Sequence, residues 1–417
     1  MTSDVTSAAR DTEHKHVLPV QQGSVRSAPT ALPRRLRKIL ALDDFEKAAR
    51  AHLPRPIFGY VSGAAETNAS LRDNRSAFDE IGFVPRVLVD VSRRSQKTEL
   101  FGKVYSAPFG IAPMGISALS AYRGDLVLAT GAAKSGIPMV MSGSSLIRLE
   151  EVARASPTAW FQAYLPGEPD RILGLVDRVE AAGFDTLVIT VDTAVLANRE
   201  NNIRSGFSTP LRPSFRLAWD GMVRPRWTVS TFLRTIIRHG MPHFENSYAT
   251  RGAPILAKSV MRDFGAKDHL NWEHLEIIRK RWKGQLVVKG IMAVNDACIA
   301  RDSGADGIVI SNHGGRQLDG VVSPIRVLPD IAQAVGNAVT VMMDGGIRRG
   351  SDVLKAIALG ARFVFVGRPL AYAAAIAGED DVRHSINILS SEIHRNMGLL
   401  GINSLAELTS DRILRLG

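Results

Sequence analysis

The sequence predicts a closed barrel of eight parallel strands alternating with helices, a (β/α)8 fold, with an N-terminal helical extension and a long insertion after the fourth strand. Three observations predict it. First, one plan recurs at residues 136–141, 183–190, 304–310 and 360–366: a helix-ending glycine, a short turn, then a β-branched or aromatic run. Glycine accepts the left-handed conformation that closes a helix, and short unbroken apolar runs suit strands covered on both faces. Second, four further runs at 109–112, 160–162, 285–288 and 340–343 bring the strands to eight, with helical patterns at Gly124–Lys134, 170–182, 295–302 and 351–359 between them. Third, polar residues cluster where these strands end. That favours the barrel over an open doubly wound sheet, because barrel loops after the strands meet at one mouth.

Ahead of the barrel, Leu42–His52 carries apolar residues at helical spacing behind Asp43 and Asp44, and Pro54 and Pro56 stop it. Residues 54–66 hold Phe58 and Tyr60 before a Gly/Ala/Ser stretch, and Tyr60 is either a packed aromatic or a ligand contact. The domain reading is a disordered tail over 1–35 and one barrel domain over 36–417, with the insertion at about 204–270. The first 32 residues are polar, contain Asp4, Asp11 and Glu13, and lack the apolar core of a secretory signal.

Hydrophobic residues make up 45% and charged residues 22%, the balance of a globular protein with a sizeable core. No apolar stretch reaches the ~18 residues of a spanning helix. The single Cys298 excludes an internal disulfide and argues against an iron-sulfur or multi-cysteine metal site, so no metal is expected. With 52 basic against 41 acidic residues the net charge is +11, which points to an anionic surface or substrate.

The strand-end residues carry the chemistry. They are Ser142, Gln162, Thr190 with Asp192, Lys289, Ser311 with His313 and Arg316, Asp344 with Gly345 and Gly346, and Gly367 with Arg368. In the loop Ser311-Asn-His-Gly-Gly-Arg-Gln-Leu-Asp-Gly320, a potential base and a fixed cation sit side by side. His accepts a proton near neutral pH, and a guanidinium matches a carboxylate in two-point geometry. Asp344-Gly-Gly-Ile-Arg-Arg-Gly350 and Gly367-Arg368 follow the last two strands, where such barrels commonly hold a phosphate. There is no dinucleotide fingerprint, so a cofactor with one phosphate is more economical. Lys289, ending a buried strand, faces either an anion such as an electron-rich cofactor ring or a structural ion-pair partner. Asp192 either orients His313, as a carboxylate does in a catalytic triad, or caps a turn.

Taken together, the loop at 311–319, Thr190-Val-Asp-Thr193, Val288-Lys-Gly290 and Asp344-Gly-Gly-Ile-Arg-Arg-Gly350 resemble the FMN-dependent 2-hydroxy acid oxidase and dehydrogenase family, over about residues 42–410. The resemblance implies that His313 is the active-site base and Asp192 orients it. Arg316, Arg199 and Tyr60 would hold the substrate carboxylate, and Tyr164 would contact its hydroxyl or carboxylate. Lys289 would lie at the flavin N1/O2 edge. Gln162, Thr190, Ser142, Ser311 and the backbone at Met114 and Gly115 would contact the flavin and ribityl chain, while Asp344, Gly345, Gly346, Arg348, Gly367 and Arg368 would hold ribityl and phosphate. The reaction implied is oxidation of an (S)-2-hydroxy acid to the 2-oxo acid, with electrons passed to a membrane quinone in a tetrameric homo-oligomer. An oxidase that uses dioxygen and releases hydrogen peroxide, and a non-catalytic flavin-binding membrane partner, are the alternatives. Met114 stands where some members carry a hydroxyl. Gly115 and Ser144 are small at positions that are bulkier in glycolate oxidases, which favours a mandelate-like or medium aliphatic acid over glycolate.

Residues 204–242 contain seven arginines and one acidic residue, Asp220, together with Phe215, Trp219 and Trp227. Within 228–239, Val229, Phe232, Leu233, Ile236 and Ile237 fall near one helical face, with Arg234 and Arg238 elsewhere. A basic amphipathic helix of this kind either lies on an anionic membrane or packs on the barrel as a lid. The segment is similar to the membrane-associating insert of mandelate dehydrogenases. The expectation is a cytoplasmic protein held peripherally on the inner face of the cell membrane through residues 212–242, with no nucleic acid as partner.

Overall fold

The computed structural model describes residues 33–208, 210–212, 214–257 and 267–416. The chain divides into two units, Met1–Lys38 and Ile39–Gly417. The described part of the first is residues 33–38, with one 3-10 turn at Leu36–Lys38. The expected disordered tail otherwise lies outside the described residues.

In the second unit eight parallel strands are present: β1 (Phe109–Ile111), β2 (Val140–Ser142), β3 (Trp160–Ala163), β4 (Thr186–Thr190), β5 (Gln285–Ile291), β6 (Gly307–Ile310), β7 (Thr340–Asp344) and β8 (Phe363–Val366). Neighbours in sequence pair in parallel from β2 through β8, β8 pairs with β1, and a bridge between Ile111 and Met139 closes the ring. This is the predicted barrel. The second strand starts later than its apolar run suggests, at Val140, after Pro138, which has no N–H to give a ladder.

Buried side chains fill the barrel. Trp160, Val188, Val287, Val309, Met342, Phe363 and Phe365 form the cluster at its centre. The Trp160 and Phe365 rings meet edge to face at 5.4 Å. A hairpin, Thr98–Leu100 paired with Lys103–Tyr105, sends Leu100, Phe101 and Tyr105 into the same cluster. The barrel is therefore a packed core, and ligand chemistry is confined to its mouth.

The predicted helices form close to their expected bounds, at Gly124–Lys134, Pro169–Ala181, Val294–Asp302 and Gly350–Ala358. Ahead of the barrel stand Leu42–His52, Arg55–Ser62 and Ala69–Asp79. In the first of these, Asp44 Oδ2 accepts from the backbone N–H groups of Leu40 and Ala41, at 3.0 and 3.1 Å. This capping satisfies donors that the helix itself leaves unpaired. Pro56 near the start of the second helix suits the first turn, where no donor is needed. Strands Ile81–Phe83 and Ile413–Arg415 pair antiparallel and tie this segment to the chain end.

The insertion after β4 carries the helices Glu200–Ser205 and Phe215–Met222. A continuous helical stretch follows through Pro225–Trp227, Thr228–Leu233 (a wide π-helical segment) and Arg234–His239. Trp227 is buried and donates its indole N–H to the Leu119 carbonyl at 2.9 Å. The Arg234 guanidinium lies 3.9 Å from the Tyr122 ring centroid, which directs it to the barrel. Val229, Phe232, Leu233 and Ile237 are exposed, whereas Ile236 is half-buried. Among the described residues no helix is long and apolar enough to cross a membrane.

Candidate active site

Ladder register brings the strand-end residues together. Thr190 on β4 sits beside Lys289 on β5, and Lys289 beside Val309 on β6, two residues before Ser311. A bulge at Gly290 follows, and its φ of +109° suits glycine. A side chain there would crowd Asp192, since an added Cβ would lie 2.8 Å from the Asp192 Cβ. The missing side chain lets Asp192 approach the barrel mouth.

There, His313 Nδ1 lies 2.8 Å from Asp192 Oδ1. His313 occupies the left-handed region at φ +56°, unusual for a side chain of its size, and its backbone N–H donates to Ser311 Oγ at 3.0 Å. Burial pushes the imidazole pKa down, and the pull of Asp192 in the other direction does not cancel it. For Asp192, burial acts upward, but the charge and hydrogen bond of His313 outweigh it and the carboxyl is held low. The pair is thus a carboxylate with a neutral imidazole at pH 7. With Nδ1–H on the carboxylate, Nε2 is left as the accepting nitrogen.

A cavity of about 580 Å³ opens at this point, a volume typical of small-molecule sites. Of the residues expected to form the site, Tyr60, Met114, Gly115, Tyr164, Thr190, Arg199, Lys289, His313, Arg316, Asp344, Gly345, Gly346, Arg348, Gly367 and Arg368 line it. Four do not. Ser142, Gln162, Ser311 and Asp192 stand behind the lining: Ser142 Oγ donates to Gln162 Oε1 at 3.1 Å, and Ser311 Oγ accepts from Lys289 Nζ at 2.7 Å.

The cations are held in different ways. Lys289 is buried and pairs with Asp344 Oδ2 at 3.0 Å, so the structural ion pair is present, and the residue also lines the cavity. Arg316 Nη1 donates to the carbonyls of Tyr60 and Gly63, at 2.7 and 2.8 Å, and its guanidinium lies 4.9 Å from the Tyr60 ring centroid. Burial, with Arg199 alongside, brings the Arg316 pKa down to about 10. Arg368 Nη2 donates to the Gly63 and Gly314 carbonyls, at 3.0 and 2.9 Å, so its guanidinium braces the His313 loop while lining the cavity. Burial and the neighbouring Arg316 bring its pKa down to about 9. Clustered cations of lowered pKa mark a place where an anion is favoured.

Three contacts escaped the sequence reading. Gln317 accepts from Arg199 Nη2 at 2.6 Å and donates to the Asp192 backbone carbonyl at 3.0 Å, tying the Arg199 side chain to the Asp192 backbone. Asn74 and Asn312 exchange amide hydrogen bonds of 2.9 and 2.8 Å in a buried position. Asp319 accepts from the Thr67 and Ser70 backbone N–H groups, each at 3.0 Å. Gln317 and Asp319 lie within the loop already singled out, but their partners are more than 100 residues away.

Gln162 Nε2, Thr190 Oγ1 and Asp344 Oδ1 are buried and have no partner within the protein. An unpaired buried polar atom is costly, and Thr190 and Asp344 line the cavity, so these two call for a ligand that offers complementary donors and acceptors. A flavin ring with a ribityl chain would supply both, and Arg348 and Arg368 are cations in the lining that could hold its phosphate. An added Cβ on Gly346, at φ +81°, would collide with the Asn74 carbonyl, so only glycine fits this turn beneath the cluster. The residues fit FMN.

A sequence model of the FMN-dependent dehydrogenases matches residues 49–415. The chain belongs to the FMN-dependent dehydrogenase family. It is 36% identical over 378 residues to an (S)-mandelate dehydrogenase of Pseudomonas putida, covering 90% of this chain and 94% of that protein. It is 39% identical over 378 residues to an L-lactate dehydrogenase of Caulobacter sp. (strain K31), covering 89% and 97%. Among solved structures, the monotopic membrane protein (S)-mandelate dehydrogenase superposes with a TM-score of 0.85 at 35% identity, covering 91% of this chain and all of that one. A mandelate oxidase with benzoylformic acid superposes at 0.74 and 36% identity, covering 90% and 98%. As a family member the protein is an FMN-dependent oxidoreductase.

Proposed function

We propose that the protein oxidises (S)-2-hydroxy acids of the lactate or mandelate type to 2-oxo acids and passes the electrons to a membrane quinone. The observation that carries this reading is His313, backed by Asp192 at 2.8 Å, lining one cavity with Arg316, Arg199 and Tyr60. FMN, when bound, would supply the two-electron acceptor. Arg316 and Arg199 would hold the carboxylate, Arg199 being steadied by Gln317 and by the Arg316 carbonyl at 3.0 Å. His313 Nε2 would take a substrate proton, and Asp192 would stabilise the imidazolium that results. Tyr164 stacks on His313 with ring centroids 6.5 Å apart, and burial pushes its phenol pKa well up, so it remains an O–H donor toward the substrate oxygen. Lys289, buried and braced by Ser311 and Asp344, would supply positive charge beside the flavin.

Membrane attachment through the insertion is supported by the helix Phe215–Met222, where Phe215, Trp219 and Met222 are exposed, and by Val229, Leu233 and Ile237 on the stretch that follows. Exposed apolar rows among arginines suit the surface of an anionic bilayer. That placement would put a peripherally bound, tetrameric enzyme next to its quinone. The test is anaerobic bleaching of the purified flavoprotein by lactate, mandelate and glycolate, followed by reoxidation with ubiquinone in liposomes or with dioxygen. Bleaching by lactate or mandelate and faster reoxidation by quinone is expected. Prompt peroxide release with no quinone reduction would remove the acceptor assignment, and a flavin that none of the acids bleaches would remove the function.

A further inference from the structure

Part of the cavity wall is apolar and takes no part in the chemistry described above. It begins at Phe207, whose ring centroid lies 4.7 Å from that of Tyr60, so it starts beside the proposed carboxylate site. Leu211, Phe244 and Ile255 continue it. Backbone pairing within the insertion fixes these residues. The Leu211 N–H donates to the Ile255 carbonyl, the Phe244 N–H to the Ala253 carbonyl and the Ile255 N–H to the Pro242 carbonyl, each at 3.0 Å. Phe207, Phe244 and Ile255 are buried and still line the cavity, so they face its interior. Leu196 and Ile203 also line it while remaining 58% and 77% exposed, which marks an apolar rim.

This wall belongs to the cavity that holds His313. Gly115 and Ser144, both small, line the same cavity, and a lactate methyl is a single carbon against the four apolar side chains of this wall. Lys267 also lines the cavity, with its ammonium 5.4 Å from the Tyr164 ring centroid, on the side of the hydroxyl-facing phenol. Phe207, Leu211, Phe244 and Ile255 carry no charge and offer an extended substituent only apolar contact. An alkyl chain is long and narrow enough to run along such a wall from the reacting carbon outward.

We propose that this wall is a subsite for an alkyl chain, so that the substrate is an aliphatic 2-hydroxy acid several methylenes longer than lactate. The proposal rests on the function argued above and names its substrate class. Each methylene transferred from water to an apolar wall favours binding by about fourfold.

The experiment is steady-state turnover of the purified holoenzyme with a dye acceptor, across lactate, 2-hydroxybutanoate, 2-hydroxyhexanoate, 2-hydroxyoctanoate and mandelate. The expected result is a kcat/KM that climbs about fourfold per methylene toward 2-hydroxyoctanoate. In Ile255→Trp, which fills the wall, the ratio of kcat/KM for 2-hydroxyoctanoate over lactate should fall by about tenfold or more. Each ratio is internal to one preparation, so a loss of folded protein leaves it unchanged. A kcat/KM that is flat beyond 2-hydroxybutanoate, or highest for mandelate, overturns the subsite, and so does an unchanged ratio in Ile255→Trp. A flavin bleached by lactate in those same cases leaves the function standing, whereas one bleached by no acid removes both.

Discussion

His313 and Asp192 lie 121 residues apart in the chain, and their side chains meet at 2.8 Å. The carboxylate fixes which ring nitrogen carries the proton and compensates the charge that the ring would acquire. In Asp192→Asn the amide keeps the shape and loses the charge. We expect kcat/KM to fall by about 10²–10⁴, with FMN content unchanged, measured by stopped-flow reduction of the flavin. A fall of less than tenfold would remove Asp192 from the reaction.

The lowered pKa of His313 sets the direction of the pH profile. The imidazole stays neutral, and competent as a base, to a pH below its ordinary 6.5. kcat/KM should therefore hold level from pH 8 to below 6.5 and decline only as the ring is protonated. Unfolded chains bind that proton more readily, so this group also lowers stability as pH falls through 6.5. A kcat/KM profile with its acidic limb centred above 6.5 contradicts the assignment. His313→Ala should bind FMN and lose reduction by several orders of magnitude.

Lys289 and Asp344 form a buried ion pair at 3.0 Å, with the ammonium also on Ser311. Lys289→Met leaves the largely buried Asp344 carboxylate without its cation, a change that costs up to about 3–5 kcal/mol in comparable pairs. Thermal unfolding of the apoprotein should show the loss. The double variant Lys289→Met with Asp344→Asn should recover part of it, because the unpaired charge is gone. No recovery in the double variant would mean that the pair is not coupled.

The insertion is docked through Trp227 and Arg234, while Phe215, Trp219 and Ile237 face outward. Replacing these three by Ser should release the protein from anionic vesicles in a flotation assay and leave dye-linked turnover in detergent within about twofold, since each lies outside the cavity lining. Unchanged flotation would refute membrane attachment through this face.

Much of this was legible in the chain. The alternation of glycine-closed helices with short apolar runs specifies parallel strands buried on both faces, and eight such runs close a barrel. Strand order alone puts Lys289, His313 and Asp344 at one mouth, because side chains at and after a strand's last residue emerge at the same end. The amphipathic period of residues 228–239 likewise grouped Val229, Phe232, Leu233, Ile236 and Ile237 near one helical face, and left open whether that face meets a membrane or the barrel. What sequence could not supply was distance. Whether Asp192 orients the base or caps a turn, and whether Lys289 has a partner, depends on ladder register and on a bulge at Gly290, both set by packing between strands far apart in the chain. The same holds for Ser142, Gln162 and Ser311, which strand order puts at the mouth and side-chain packing sets behind its lining. The apolar wall of Leu211, Phe244 and Ile255 has no periodic signature, since it arises where two irregular arms of the insertion pair across the barrel mouth. Local pattern determined the elements and their end of the barrel; long-range pairing decided which side chains touch there.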